Sequence, residues 1–393
     1  MRSAEKTRRR RFGELTCSFV PDSDVSLGRK HEGFCLIRIE VPMRTFDYRH
    51  LPQNLFDGKV GTANVRLYED RGTFEALRRA HPDALEALRR EARFDNVDAS
   101  MRIEGFYLPT ARVREIVEGK QPSGDAESQI AGYAQALALV EESCGGDGDS
   151  LPLSTATILK LYETLYSHRN LGRKSRYRKK DYMYVQVDGH PRAMPVSPIT
   201  AFETPLVLGG ACDSLADAFL ASSCSPLILS AVFTVDFLAI RPFDEGNGRI
   251  SRLFANLLLE KAGFEVLRYM SVDRIIEESG MAYYDALNAC VEGWDVGRND
   301  YSPYALYWLE TIHEAYRRLF AALEMSGAAG AGKSERVRLF VQRANRPVTK
   351  REIRAALADV SEATVEAELG RMVKEDVVEK LGAGRSTAYR WRE

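Results

Sequence analysis

The sequence predicts a mainly α-helical protein that contains one short β-hairpin and ends in a winged helix-turn-helix unit. Over most of residues 58–325, apolar residues recur at three- and four-residue spacing, as they do in amphipathic helices. The stretch YMYVQVDGHPRAMPV alternates instead, and its Asp-Gly pair is typical of a tight hairpin turn. Near the C-terminus, three helical stretches and a turn-rich hairpin follow the small-residue stretch SGAAGAGKSE.

Length and composition favour an ordinary globular protein of two or three domains. The chain has 393 residues, 45% of them hydrophobic, and a net charge of −1, so it has no bulk field that would attract nucleic acid or anionic lipid. Six scattered cysteines without a CxxC pair favour reduced thiols and a cytoplasmic location. The apolar stretch SPLILSAVFTVDFLAI is too short for a membrane span and contains Asp236, so we expect a buried helix and no membrane partner.

The N-terminal part divides into an extension and a helical region. Residues 1–57 contain short alternating runs such as FCLIRIEV and are expected to be irregular or partly stranded. Residues 58–125 form the N-terminal helical region. Its stretch TFEALRRAHPDALEALRREARF predicts two helices that are separated at Pro82.

The central region, residues 126–325, is the predicted helical core. The hairpin at 181–195 interrupts it and must rest on the core, because an isolated hairpin is only marginally stable. The clearest helical stretches of this region are 126–145, 154–167, 214–222, 227–240 and 248–263.

Residues 326–334 have the composition of a flexible linker, and residues 335–393 form the winged helix-turn-helix. In this last unit, Thr349 and Ser361 stand where the N-caps of two helices are expected.

The stretch AIRPFDEGNGRISRLF predicts an anion site. Its glycines permit a tight turn, and Asn247 is expected to cap a helix that begins near Gly248. Two cations, Arg249 and Arg252, share a face of the first turn, where the helix dipole makes positive charge unfavourable. They either point outward and pair with distant carboxylates, or they receive an anion, for which a polyphosphate is the best candidate. Glu245 offers a ligand for Mg²⁺ beside it.

The segment RPFDEGNGRISR resembles the signature of the Fic domain family, His-Pro-Phe-x-Asp/Glu-Gly-Asn-Gly-Arg-x-x-Arg. The matching residues are Pro242, Phe243, Glu245, Gly246, Asn247, Gly248, Arg249 and Arg252. The resemblance implies a Fic (Fido) helical bundle with the hairpin as its flap, and transfer of AMP from ATP to a hydroxyl of a target protein. It also implies that Glu245 takes the Mg²⁺ ion, that Gly246 to Gly248 hold the phosphates, and that Arg249 and Arg252 bind the β- and γ-phosphates.

The first position of the signature, a histidine in the family, is Arg241 here. In the family this histidine takes the proton of the attacking hydroxyl, and arginine, which stays protonated, has no lone pair for that role. We therefore expect a weakened adenylyltransferase or a nucleotide-binding pseudoenzyme. Of the six histidines, only His190, at the tip of the hairpin, lies in a segment expected to overhang the site.

Upstream, the stretch DASMRIEGF resembles the Fic inhibitory motif Ser/Thr-x-x-x-Glu-Gly/Asn through Ser100, Glu104 and Gly105. In the class with an N-terminal inhibitory helix, the resemblance implies that Glu104 pairs with Arg252 and prevents productive placement of the γ-phosphate. The same short pattern is also typical of a capped helix start, which is the alternative interpretation.

Two further features bear on ligands. The stretch YYDALNACVEG resembles the adenine-side helix of the family, in which Tyr283 and Tyr284 would contact the nucleotide. The hairpin at 181–195 resembles the flap that pairs with an extended segment of a target protein by strand addition. A homodimer is a further expectation.

A second hypothesis is a DNA-binding regulator that acts through the C-terminal winged helix. Residues 335–393 contain thirteen Lys or Arg and ten Asp or Glu, a small excess of three positive charges. The recognition-type helix opens with Glu362, Glu366 and Glu368, whose carboxylates would oppose DNA phosphates. DNA is therefore the less favoured partner, and protein docking or support of a dimer is favoured for this unit.

Overall fold

The structure is a computed structural model. It describes residues 44–144, 150–169, 177–187, 190–195, 197–327, 332–344, 346–384 and 387–392, with the backbone alone at 182–195. The predicted N-terminal extension as far as residue 43, the centre of the predicted linker and the side chain of His190 lie outside the described residues.

The first three helices precede the core that was predicted from residue 126. They are α1 (Gly58–Arg78), α2 (Pro82–Ile103) and α3 (Thr110–Val117). Pro82 stands at the first position of α2, where its missing N–H costs no hydrogen bond, so the predicted break between two helices is confirmed.

The remaining helices of the core include two adjacent central helices that are buried almost throughout. These helices are α4 (Gly124–Ser143), α5 (Thr155–Leu165), α6 (Thr204–Leu220), α7 (Pro226–Ile240), α8 (Asn247–Lys261), α9 (Val272–Ser279), α10 (Met281–Asn288) and α11 (Ser302–Gly327). Helix α7 is buried on nearly every side and packs along α8, while α1 packs on α11 and α2 packs on α9. One hydrophobic cluster joins all of these helices.

The predicted β-hairpin is present as a two-stranded antiparallel sheet of β1 (Tyr182–Val187) and β2 (His190–Pro195). The residues around its base attach it to the core. The Asp181 carboxylate accepts from the backbone N–H of Ala201 and pairs with Arg178, whose side chain is 1% exposed. The hairpin thus rests on the core, as its marginal intrinsic stability requires.

The C-terminal unit combines three helices with a three-stranded antiparallel sheet in the order expected of a winged helix-turn-helix. Its elements are α12 (Lys333–Arg343), β3 (Val348–Thr349), α13 (Lys350–Ala356), α14 (Glu362–Lys374), β4 (Val378–Leu381) and β5 (Ala388–Trp391). Thr349 and Ser361 cap α13 and α14 as predicted, and Thr349 forms a full capping box with Glu352. A second hydrophobic cluster, to which Met325 of α11 belongs, fills this unit.

Two local predictions are wrong. The helix expected at 214–222 begins ten residues earlier, at Thr204, where Pro205 lies in the first turn, and Gly209 and Gly210 lie within the helix. The N-cap of α8 is Gly246 rather than Asn247, which is already the first residue of the helix.

The apolar stretch of α7 contains a buried acid that has a full set of partners. Asp236 is 0% exposed and accepts hydrogen bonds from Tyr48, Trp294 and Tyr301, while Arg44 lies 3.5 Å away. This network fixes the segment before α1 to the core. Among the described helices, none combines the length and the apolarity needed to cross a bilayer.

Candidate functional site

The turn between α7 and α8 is closed by its own asparagine. The side chain of Asn247 accepts from the backbone N–H of Phe243 at 3.0 Å and donates to the Phe243 carbonyl at 2.8 Å. Gly246 adopts φ +81°, a left-handed conformation that favours glycine. The turn therefore presents the first backbone N–H groups of α8, which have no partners within the helix, to the space in front of it.

Arg241, where the family resemblance leads us to expect a histidine, ends α7 in the left-handed region with φ +49°. Its backbone is held from outside the signature. Arg178 donates from Nε to the Arg241 carbonyl at 3.0 Å and from its backbone N–H to the Pro242 carbonyl at 2.9 Å. Burial lowers the pKa of the Arg178 guanidinium, and the nearby positive charge of Arg241 lowers it further. The Arg241 side chain lines the same space as the turn, and its buried Nε has no hydrogen-bond partner within the described residues.

The first signature arginine, Arg249, is 2% exposed and fixed by side chains from two other segments. It donates from Nη1 to Gln129 Oε1 at 2.9 Å and from Nη2 to the Tyr166 hydroxyl at 3.0 Å. Neither partner carries a negative charge, so this guanidinium is oriented without being neutralised.

The second arginine, Arg252, meets the predicted regulatory residues. Its Nη2 donates to the Ser100 hydroxyl at 2.8 Å and to Glu104 Oε1 at 3.2 Å. Its Nε lies 3.4 Å from Oδ2 of Asp273, a second carboxylate that is 1% exposed. Burial lowers the pKa of the Arg252 guanidinium, but the Asp273 and Glu104 carboxylates outweigh burial and hold that pKa well above its usual range.

Glu104 also lies directly against the start of α8. A Cβ atom placed on Gly248 would lie only 2.7 Å from Glu104 Oε1. The carboxylate thus fills the position at a helix N-terminus, beside a guanidinium, that an anionic ligand would take. The alternative interpretation of the Ser100–Glu104 pattern as a capped helix start is wrong, because Ser100 lies inside α2 and Glu104 follows its last residue. Gly105 forms the turn after it, with φ +83°.

The predicted metal ligand, Glu245, is bound by a cation of the chain. Its Oε1 accepts from Arg169 Nη1 at 2.7 Å, and its side chain is 42% exposed. Among the described residues, no three His, Cys, Asp or Glu side chains group as a metal site would require. Glu245 therefore offers one hard oxygen ligand, the number that Mg²⁺ commonly takes from a protein when phosphates supply others.

These residues surround a cleft of about 580 Å³, a size typical of small-molecule sites. Its floor is the turn, and one wall carries Tyr283 and Tyr284 of α10. Burial raises the pKa of the Tyr283 hydroxyl to about 12, whereas Tyr284 is 41% exposed and donates to the Ile103 carbonyl. None of the described residues that line the cleft is a histidine.

All of the sequence-predicted site residues on the signature, α10 and the end of α2 come together here. The residues that the sequence did not indicate are those that hold the arginines and Glu245 in place, namely Gln129, Tyr166, Arg169, Arg178 and Asp273. They lie far from the signature in the chain and belong to no local pattern, so a single sequence gives no signal for them.

Comparison with known proteins agrees with this geometry. Residues 152–259 match the model of the Fic/DOC family. This segment is a Fic/DOC family domain. The match covers α5, the hairpin and the signature turn with α8, whereas Glu104 and Tyr283 reach the cleft of the Fic domain from outside the matched segment.

A curated relative, the protein adenylyltransferase Fic of Drosophila virilis, is 27% identical over 204 residues. The alignment covers 51% of this chain and 39% of the relative, so the chain spans well under half of the relative's length.

Two solved structures share the fold. A Fic family protein from Desulfovibrio desulfuricans G20 has a TM-score of 0.50 at 20% identity, with 84% of this chain and 96% of that chain covered. A Fic domain containing signaling protein from Bacteroides thetaiotaomicron VPI-5482 has a TM-score of 0.53 at 17% identity, with 67% and 98% covered. At these identities the likeness supports the fold alone, and it agrees with the mainly helical architecture predicted from the sequence.

Proposed function

We propose that this chain binds Mg²⁺-ATP in the cleft of its Fic domain, on the scaffold of a protein adenylyltransferase that is restrained by Glu104 and impaired in catalysis by Arg241. The relative from Drosophila virilis, which is named as a protein adenylyltransferase, supports the reaction class. The observation that carries the proposal is the Glu104 carboxylate, which lies on Arg252 and against the N-terminus of α8 where a phosphate group would lie.

The residues of the cleft fit a nucleotide. Gly248 leaves room for an anion that a Cβ atom would fill, and the buried Nε of Arg249 has no hydrogen-bond partner in the described part of the chain. Arg249 and Arg252 would hold phosphate oxygens, and the backbone N–H groups from Gly246 to Gly248 would donate to them. Tyr283 and Tyr284 would contact the adenine ring. Mg²⁺ held by Glu245 would supply charge neutralisation of the phosphates.

Arg241 sets the limit on catalysis. Its guanidinium cannot accept the proton of an attacking hydroxyl, and the described lining offers no histidine in its place. Loss of a general base typically costs on the order of 10²- to 10⁴-fold in rate. The positive charge of Arg241 beside the turn nevertheless favours binding of an anion. If Arg241 abolishes catalysis completely, the protein is therefore a pseudoenzyme that still binds a nucleotide.

The hairpin is the proposed docking site of a target protein. Strands β1 and β2 pair with each other and with no other strand of the described chain, which leaves an edge for an added strand. The attachment of its base through Asp181 and Arg178 places the hairpin next to the carbonyl of Arg241.

A transfer assay tests the proposal. Labelled ATP and cell lysate are incubated with the wild-type chain, Glu104→Gly, Arg241→His and the double variant. We expect the double variant to label protein on the order of 10²-fold faster than Glu104→Gly alone, because both lack the restraint and only the double variant regains a base.

The matched control adds Arg252→Ala to the double variant and should remove the labelling, because the phosphates lose a ligand. Equal and negligible labelling by the double variant and this control would contradict an adenylyltransferase scaffold.

A further inference from the structure

The Glu245 carboxylate is engaged by an arginine that lies outside the signature. Arg169 follows α5, and its side chain is 15% exposed. Its Nη1 donates to Glu245 Oε1 at 2.7 Å, while its Nε lies 2.5 Å from Oδ1 of Asp125. Glu245 lines the cleft and Asp125 does not, so one guanidinium is shared between a carboxylate inside the cleft and one beyond it.

The surroundings hold Arg169 in this position. Its guanidinium carbon lies 5.4 Å from the centre of the Tyr166 ring, and the hydroxyl of the same tyrosine accepts from Arg249. Burial lowers the pKa of Arg169, but Glu245 and Asp125 outweigh it and raise that pKa above its usual value. Arg169 is thus a fixed, permanently charged cation. It contacts both Glu245, the proposed metal ligand, and Tyr166, which binds the proposed phosphate ligand Arg249.

A guanidinium and a divalent metal ion compete for the same carboxylate. Both are cations that bind carboxylate oxygens, and they repel each other when they share one. Asp125, whose side chain is 58% exposed, offers the arginine a second acceptor when Glu245 is taken. We propose that Arg169 is an internal counter-cation of Glu245 that competes with Mg²⁺, so that this chain binds ATP with little dependence on the metal.

This inference rests on the proposed nucleotide site and adds that Arg169 sets how strongly nucleotide binding at that site depends on the metal. An ordinary structural ion pair makes a different prediction. Loss of such a pair would loosen the cleft and weaken nucleotide binding equally with and without metal. Loss of a competing cation should instead weaken metal-free binding and strengthen metal-supported binding.

The test is isothermal titration of a non-hydrolysable ATP analogue, in EDTA and in excess Mg²⁺, into the full chain carrying Glu104→Gly. The variants are Arg169→Gln, the charge-retaining Arg169→Lys, and Arg317→Gln, which removes an exposed arginine–glutamate pair on α11 away from the cleft. Circular dichroism and the melting temperature confirm that each variant is folded.

We expect the ratio of the Kd in EDTA to the Kd in Mg²⁺ to rise at least tenfold in Arg169→Gln and to stay within about twofold in Arg169→Lys and Arg317→Gln. An unchanged ratio in Arg169→Gln, with nucleotide still bound, would overturn this inference and leave the proposed function standing. Absence of nucleotide binding in every variant and condition would overturn both.

Discussion

The left-handed residues around the signature turn show how closely the backbone is specified there. Gly246 has φ +81°, and a Cβ atom at this position would lie 2.7 Å from the Tyr166 hydroxyl. Arg241 also lies in the left-handed region, with φ +49°, a conformation that non-glycine residues adopt at an energetic cost. Hydrogen bonds from Arg178 to the carbonyls of Arg241 and Pro242 help to hold this segment in place.

A pair of glycine substitutions tests this local account. Gly246→Ala should destabilise the protein by about 1 kcal/mol or more, because alanine is strained at φ +81° and meets Tyr166. Gly210→Ala, inside α6 with open space where its Cβ would lie, should stabilise by about 0.4–1 kcal/mol. Urea unfolding measures the change in the free energy of unfolding, which should be negative for Gly246→Ala and positive for Gly210→Ala. Equal changes in the two variants would contradict this description of the turn.

The signature itself could be predicted from the sequence because its chemistry is local. Gly246, Asn247 and Arg249 are close in the chain, and their side chains and backbone act at one turn. Asp273, Arg169 and Arg178 could not be predicted, because their roles depend on which helices pack together. The same holds for Glu104, whose contact with Arg252 was expected only through the family resemblance.

At the scale of elements, α8 carries charged groups at both ends. Its first turn holds the signature arginines, and near its last turn Glu260 is 8% exposed and accepts from Arg268 Nε at 2.6 Å. Burial raises the pKa of the Glu260 carboxyl to about 7 from an ordinary 4.5, although Arg268 opposes the shift. Helix α8 therefore ends in a buried acid that is easier to protonate in the folded protein than in the unfolded chain.

This shift makes a prediction about stability and pH. Because the folded protein holds the Glu260 proton more tightly, the contribution of Glu260 to stability falls as pH rises from about 4.5 to about 7. Glu260→Gln removes this titration. Its free energy of unfolding should therefore rise relative to wild type across that window, by up to roughly 3 kcal/mol at pH 8.

Urea unfolding of both proteins at pH 5 and pH 8 measures the difference. A difference that is the same at both pH values would contradict the shifted pKa of Glu260.

The helix boundaries that the sequence predicted well are those with a local start signal. Pro82, Thr349 and Ser361 each stand at the start of a helix, as expected. The start of α6 was predicted wrongly. Gly209 and Gly210 are weak helix formers, but packing of Val207 and Leu208, which are 3% and 0% exposed, stabilises the helix at this point.

At the scale of the whole molecule, the C-terminal unit faces the core through charged side chains. Arg351 of α13 pairs with Glu277 and Glu278 of α9. Several cations of the unit are also paired within it, since Lys350 binds Glu366, Arg371 binds Glu368 and Arg390 binds Glu379.

These pairs bear on the DNA-binding hypothesis. DNA affinity depends on cations that are free to neutralise phosphates, and carboxylates already occupy these ones. We expect no shift of genomic DNA fragments by the full chain at moderate salt in a gel assay. A shift that weakens with added salt and is lost in Lys374→Ala would contradict this expectation and favour a regulator.

Isothermal titration of Mg²⁺-ATP into the wild-type chain, Glu104→Gly and Glu104→Gly with Arg252→Ala tests whether the cleft binds a nucleotide. If the turn and its arginines receive the phosphates of a nucleotide, Glu104→Gly should bind about tenfold or more tightly than wild type, and adding Arg252→Ala should reverse the gain. Equal or weaker binding by Glu104→Gly, or a gain that survives the loss of Arg252, would show that the turn and its arginines are not the phosphate site.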